Sequence, residues 1–509
     1  MHSHFLSTSP PPPPPPSPLS IFLSPHHFQI NTLATFSSSP PPGITRVLFT
    51  PEDAKARAYI RGLMVEAGLQ ITEDGVGNMR GRWTGTDPLR GGVASGSHAD
   101  AIPGSGRYDG TVGVLGAIAA IKALKAVGYQ PVRTLEAILF TSEEPTRFGL
   151  SCIGSRAMAG FLAADRLEAL RDANGTTFLE AARAAGYGHG TGRGRNGGAA
   201  PPAHAVLRGC RIGLGVITHF LELHIEQGPA LEAAGAPLGL VTAIAAPASL
   251  RVTFTGPGGH AGTVPMRERR DPGLAAAELA LAVEAAVAVA GEGSPHAVAT
   301  VGSVSLFPGA TNAIPTAATL SVDLRDIDGP RRDGALRAVR KAARAIGRAR
   351  RVGVAVETLT ADPPMPTDVE VQAAAARAIA AVTPRATKGG GPGAVPRLVS
   401  GAYHDALAMA RAFRSGMIFI RCRGGLSHVP GEYASPADMA AGVAALALAL
   451  GDLGAGPPLV GRDAGRVARE RGATHATCPV TGRVDDGGGG ACPFRSKERK
   501  ERKADKAAA

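Results

Sequence analysis

The chain is poor in cysteine, in aromatic residues and in long apolar runs. Its 509 residues include five cysteines, one tryptophan and only 4% aromatics. Cys152, Cys210, Cys422, Cys478 and Cys492 are odd in number and widely spaced, which describes neither a disulfide framework nor a zinc ribbon. Any metal site must therefore be built from histidines and carboxylates. No apolar run reaches the roughly 18 to 20 residues that a membrane span needs. The nearest, Leu274 to Ala290, is interrupted by Glu278 and Glu284, so no membrane partner is expected. Acid is absent from residues 1–50, whose single base is Arg46.

What is present is a net charge of +12, which invites a nucleic-acid reading until the charge is located. Residues 456–509 hold twelve bases and seven acids, leaving 41 bases and 35 acids in residues 51–455. A net of +6 over that central stretch is ordinary for a soluble protein, and no nucleic acid is expected. Within the tail, Arg495 to Lys506 is basic, but Glu498, Glu501 and Asp505 dilute it and no aromatics interleave. The tail, 456–509, reads as a solvated basic segment. Residues 1–43 read as a Pro/Ser-rich leader, with seven consecutive prolines from Pro10 to Pro16 and a short apolar island from Leu19 to Leu23. Gly186 to Pro202 reads as a Gly-rich loop.

Between these ends the pattern alternates. Gly91 to Ser97 and Thr134 to Thr141 read as buried strands, and Val112, Leu115, Ile118, Ile121 and Leu124 recur between them at helical spacing. Strand, helix, strand implies a parallel sheet. Phe220 to Ile225 and Gly416 to Arg421 are two more strands of that kind. Residues 248–362 change rhythm: strand Leu250 to Thr255, helix Asp271 to Ala290, strands Ala299 to Leu306 and Thr319 to Leu324, helix Pro330 to Arg350, strand Val352 to Leu359. That βαββαβ order predicts a ferredoxin-like unit. The expected fold is α/β: a mixed, mainly parallel sheet from residues 44–247 and 363–455, with a compact domain inserted at 248–362.

Five possible ligands fall at or just past strand ends, where open α/β sheets bind ligands: His98, Asp109, Glu144, His224 and His428. Three imidazoles and two carboxylates suit a two-metal centre, with Asp109 able to give one oxygen to each ion. Asp100 is placed to accept the second ring hydrogen of His98. Glu143 has no ligand duty and is the candidate general base. Taken singly, each residue is more ordinary: a lone strand-end histidine is usually structural, and Asp-Gly is usually a turn.

Taken in order, the motifs Gly96-Ser-His-Ala-Asp100, Tyr108-Asp-Gly110, Ser142-Glu-Glu144, His224-Ile-Glu-Gln-Gly-Pro229, Gly258-Gly-His-Ala-Gly-Thr-Val-Pro265, Asp323-Leu-Arg-Asp-Ile-Asp328 and Ser427-His-Val-Pro430 resemble the M20 family of metal-dependent amidohydrolases. The resemblance spans residues 44–453, within the branch that acts on allantoate, ureidoglycolate and N-carbamoyl amino acids. It implies a catalytic domain built on the main sheet and a lid or dimerisation domain in the insert at 248–362. It also implies His98, Asp109 and His224 on one metal, Asp109, Glu144 and His428 on the other, and Glu143 as base, with Asp100 and His260 also catalytic. Manganese is the implied metal, with zinc compatible with the same ligands. The implied substrate shell is Gln227, His260, Asn312, Arg325, Tyr403 and His404. His260 would reach a neighbouring subunit's site to hold an oxyanion, which implies a homodimer through the inserted domain.

Arg325 would grip a substrate carboxylate with its planar fork, the alternative being a salt bridge to Asp323 or Asp326. Pro145-Thr-Arg-Phe-Gly149 and Ala402-Tyr-His-Asp405 resemble the ureidoglycolate-hydrolysing members, whereas Arg421-Cys-Arg-Gly-Gly425 is nearer to the allantoate-hydrolysing ones. Tyr403 is expected to narrow the pocket and add a hydroxyl. The expected reaction releases glyoxylate, ammonia and carbon dioxide from a small anionic ureido substrate. Resemblance to plant enzymes implies the endoplasmic reticulum; otherwise the cytoplasm is expected.

Overall fold

A computed structural model describes residues 29–188, 200–290, 294–383 and 394–455. The tail at 456–509, the apolar island at Leu19 to Leu23 and most of the Gly-rich loop lie outside these residues. The leader reading fails over 29–43. Residues 29–34 are helical, and Ile30 and Leu33 are buried in the main core. The buried Arg46 guanidinium holds them there by donating to the carbonyls of Leu33 and Phe36.

The large sheet is built from β1 (Gln70–Glu73), β2 (Met79–Trp83), β3 (Gly92–His98), β4 (Leu135–Phe140), β5 (Ile217–Ile225) and β6 (Leu238–Ile244). Its central strands β5, β3 and β4 are parallel neighbours, with β2 and β1 running antiparallel beyond β4. The chain then leaves for a second sheet, β7 (Ala246–Thr255), β8 (Val298–Phe307), β9 (Ala317–Asp326) and β10 (Gly353–Ala361). It returns through β11 (Met365–Pro366), β12 (Arg397–Ser400) and β13 (Arg414–Ile420). Strand β13 is parallel to β5 and antiparallel to β6, so the sheet is mixed with a parallel centre. The edge strand β1 and its inner neighbour β2 lack an apolar run, which is why sequence periodicity missed them.

The parallel strands are near-continuous apolar segments because both faces are covered. Leu221, Leu223 and Ile225 of β5 enter one core, and Phe220 enters the other. Period-two alternation therefore puts Glu222 and His224 on the Phe220 face. Helix α1 (Pro51–Glu66) is capped by the Thr50 hydroxyl, and α2 (Thr111–Ala126) is buried along most of its length. After β4 comes the short α3 (Ile153–Ala159).

In the second sheet, α4 (Pro272–Ala290) and α5 (Gly329–Ala349) complete a βαββαβ order, with strands arranged β8-β9-β7-β10 and all pairs antiparallel. Ala318, Leu320, Val322 and Leu324 of β9 are buried with the helices, so Asp323 and Arg325 project from the opposite face. Helix α6 (Val369–Val382) follows the return. The last helix among the described residues, α7 (Pro436–Ala455), is long and apolar enough to cross a bilayer, but 78% of that window is buried inside the protein. It is a core helix.

Candidate active site

The candidate ligands converge at the carboxyl ends of β3, β4, β5 and β13. His98 is the last residue of β3, and its Nε2 lies 3.6 Å from Asp109 Oδ1. His224 Nε2 is 3.1 Å from the same oxygen. On the other side, His428 Nε2 is 3.0 Å from Asp109 Oδ2 and 3.3 Å from Glu144 Oε1. Two three-residue groups thus share Asp109, one on each carboxylate oxygen: His98, Asp109 and His224, and Asp109, Glu144 and His428.

Backbone contacts set the ring orientations. The Nδ1 atoms of His98 and His224 donate to the carbonyls of Asp100 and Ile225, at 3.0 and 2.9 Å. Each Nε2 is thereby left to face Asp109. Gly110 is required here: a Cβ on it would lie 2.4 Å from the His98 ring. Ser142, Gln227 and His428 all carry positive φ, as does Cys152 beside Glu143. Such strain in non-glycine residues persists where surrounding structure over-determines it.

Electrostatics fit a cation site. Burial alone would raise the Asp109 carboxyl, but hydrogen bonds from His224, His428 and His98 outweigh it and hold the group well below its usual range. Hydrogen bonds to Asp109 and Glu144 push His428 up to about 10. A divalent ion would displace such ring protons, because imidazole ligates only when neutral. Glu143 is raised well above the usual range by burial, opposed by His98 and reinforced by the charges of Glu144, Asp405 and Asp100. It belongs to neither three-residue group, and its Oε2 stands 3.8 Å from His98 Nε2.

Other expected residues are placed differently. The Asp100 carboxylate does not take the His98 ring hydrogen, which goes to the Asp100 carbonyl; its oxygens lie 3.3 and 3.0 Å from the Glu143 and Glu144 amides, whose hydrogens they accept. Asp100 therefore orients the glutamate pair. Gln227 donates to Asp109 Oδ2 at 2.8 Å, and its own Oε1 is buried with no hydrogen-bond partner among the described residues. His404 is buried, pairs with the Ser400 hydroxyl at 2.8 Å, and packs edge-on against His224. Burial, then the neighbouring His224, holds its ring well below the usual histidine range.

The Tyr403 hydroxyl is engaged by the protein itself, donating to Asp362 and accepting from Arg156, each at 2.8 Å. Arg325 makes the Asp323 salt bridge at 2.8 Å, yet also donates to the Gly401 carbonyl beside His404. His260 and Asn312 lie together, exposed, on a two-stranded ribbon of Gly259–His260 and Ala313–Ile314. No hydrogen bond or ion pair of theirs among the described residues reaches the His98–Asp109 cluster of the same chain.

Two buried carboxylates hydrogen-bonded around the site escaped sequence reasoning. Glu432 accepts from the amides of Tyr108 and Asp109 with one oxygen and from Ser427 and His428 with the other. Nothing near it in sequence signals this. Glu222 accepts from Ser97 and from the Ala406 amide, tying β3 and β5 to the His404 loop. An acid inside an apolar strand, two residues before His224, was the available signal. Glu432→Ala is expected to weaken metal binding about 10- to 100-fold. Titrating metal-depleted protein and reading bound metal by elemental analysis checks this, and unchanged affinity would remove Glu432 from the support of the site.

This arrangement, shared carboxylate, imidazole ligands and a spare buried glutamate, is that expected of a metal-dependent hydrolase. Residues 79–452 match Peptidase family M20/M25/M40, and the chain belongs to that metal-dependent family, as a hydrolase of C–N bonds. Within it, the chain is 47% identical over 430 residues to ureidoglycolate hydrolase of Arabidopsis thaliana, covering 84% of this chain and 85% of that one. Allantoate deiminase of the same plant is 34% identical, covering 79% and 77%. Solved structures of AtUAH in complex with (S)-hydroxyglycine and with glyoxylate superpose with a TM-score of 0.75 at 46% identity, covering 86% of this chain and 99% of theirs.

Proposed function

We propose that this chain hydrolyses the ureido group of (S)-ureidoglycolate, giving glyoxylate, two ammonia and carbon dioxide for one water consumed. The observation that carries the reading is the pair of ligand groups on Asp109 with Glu143, a member of neither, beside them. The margin of 47% over 34% identity favours ureidoglycolate over allantoate. Two divalent ions on these residues would acidify a water and polarise the ureido carbonyl. Imidazole with carboxylate suits manganese or zinc, and manganese is the ion proposed.

Glu143 takes a proton from the attacking water and delivers it to the departing nitrogen. Loss of the terminal amine and carbon dioxide leaves hydroxyglycine, which expels ammonia to become glyoxylate. The ligands of the AtUAH complexes are these two compounds. Arg325 meets the carboxylate that persists through both steps. His260 and Asn312 act from a second copy of the chain, a reading supported by their exposure and by the lack, among the described residues, of a hydrogen bond or ion pair from them to their own cluster. The apolar outer strand β8 supports that dimer: Val298, Val304, Leu306 and Phe307 are all exposed.

The deciding experiment compares ammonia release from purified, manganese-loaded protein given ureidoglycolate, allantoate and N-carbamoyl amino acids. A kcat/KM for ureidoglycolate at least about 100-fold above the others is expected, a ratio within reach when buried polar groups must be matched. A preference for allantoate would overturn the substrate assignment.

A further inference from the structure

Two short segments join the sheets: Ala245, just before the first β7 residue Ala246, on the way out, and Asp362 to Pro364 on the way back. Both are tied to α5, where Arg332 donates to the carbonyls of Ala246 and Asp362. The Asp362 side chain faces the large sheet instead. Its two oxygens accept from Arg156 on α3, and one also accepts from the Tyr403 hydroxyl. Arg156 closes the triangle by donating to the Tyr403 hydroxyl, and its guanidinium lies between the Phe161 and Tyr403 rings at 5.4 and 5.5 Å. Arg156 and Asp362 side chains are only 8% and 14% exposed. Charge-assisted, bidentate bonds screened from water are the geometrically specific kind.

The loop from Ser400 to Ala406 carries this fixed point into the site. Gly401 receives Arg325 from β9, Tyr403 is held at the crossing, His404 packs on His224, and the Ala406 amide donates to Glu222. We propose that Asp362, Arg156 and Tyr403 form a clamp at the crossing between the sheets that positions Arg325 over the metal-ligand cluster. Asp362 and Tyr403 are positioning residues for carboxylate recognition, acting through the Gly401 carbonyl and the angle between the sheets. The inference rests on the reading of Arg325 as the group that meets the substrate carboxylate.

The test is a double-mutant cycle in the full-length, metal-loaded protein. Tyr403→Phe removes one hydroxyl and is the gentle variant; Asp362→Asn removes the charge. Each is made alone and in the Arg325→Ala background, with KM, kcat and metal content measured on ureidoglycolate. The expected result is a KM raised about tenfold by Asp362→Asn and less by Tyr403→Phe, with two metals per chain and kcat changed less than KM. Both effects should largely vanish once Arg325 is gone. Wild-type KM in both single variants, or effects that persist undiminished without Arg325, overturns the proposal. Should Arg325→Ala itself leave KM unchanged, the carboxylate reading fails separately. Amide hydrogen exchange at residues 245–248 and 361–364 then decides the clamp: faster exchange in Asp362→Asn supports it, and unchanged exchange refutes it.

Discussion

Glu143→Gln is expected to abolish turnover while leaving both ions bound. The substitution keeps shape and removes only the atom that can accept a proton. General-base contributions run to about 10² to 10⁴ in rate, and the same carboxyl is asked to return the proton to nitrogen, so the upper part of that range applies. Metal content should stay at two per chain because Glu143 belongs to neither ligand group. Stability supplies an independent readout. A carboxyl whose folded pKa lies above its unfolded value contributes stability below the unfolded pKa and loses it as pH rises. The buried Glu143 carboxyl therefore costs the metal-free protein stability as pH rises, and Gln, which does not titrate, removes that cost. Urea melts after chelation should show the variant at least as stable as wild type at pH 7. Near-normal kcat would remove the base assignment.

How much of this was legible in the sequence differs from element to element. The βαββαβ unit was readable because each of its strands and helices carries its own apolar period, from Leu250 to Leu359. The parallel centre was readable from runs such as Leu135–Phe140, buried throughout. The ligands were individually weak and became specific only as an ordered set of motifs. What sequence could not supply was direction. Asp100 is two residues from His98, but spacing does not distinguish its carbonyl from its carboxylate, and the two have different partners. The Tyr403 hydroxyl could be placed only with Asp362, from another segment, in view. Glu432 organises Asp109 from more than 300 residues away, and no local pattern encodes that. Residues 29–34 were hidden by the prolines before them, although Ile30 and Leu33 stand at helical spacing.

Asp109→Asn is expected to have the largest effect of any single change, because one residue serves both ligand groups. An asparagine side chain has one neutral oxygen and one nitrogen that only donates, so it cannot face two cations, and the anion that offsets their mutual repulsion is lost. Occupancy should fall below two ions per chain and activity should become undetectable, while circular dichroism still reports a folded protein. Removing this carboxylate also strands His98, His224 and His428, whose hydrogen bonds hold it ionised. Breaking a buried charged pair costs about 3 to 5 kcal/mol. Because the folded pKa of Asp109 is depressed, its contribution is present above the unfolded pKa and is lost as pH falls through the folded one. In metal-free protein, the stability gap between wild type and variant should therefore be wide at pH 7 and should close in acid. Elemental analysis showing two ions in Asp109→Asn, or a gap independent of pH, would mean that the two groups do not depend on a shared carboxylate.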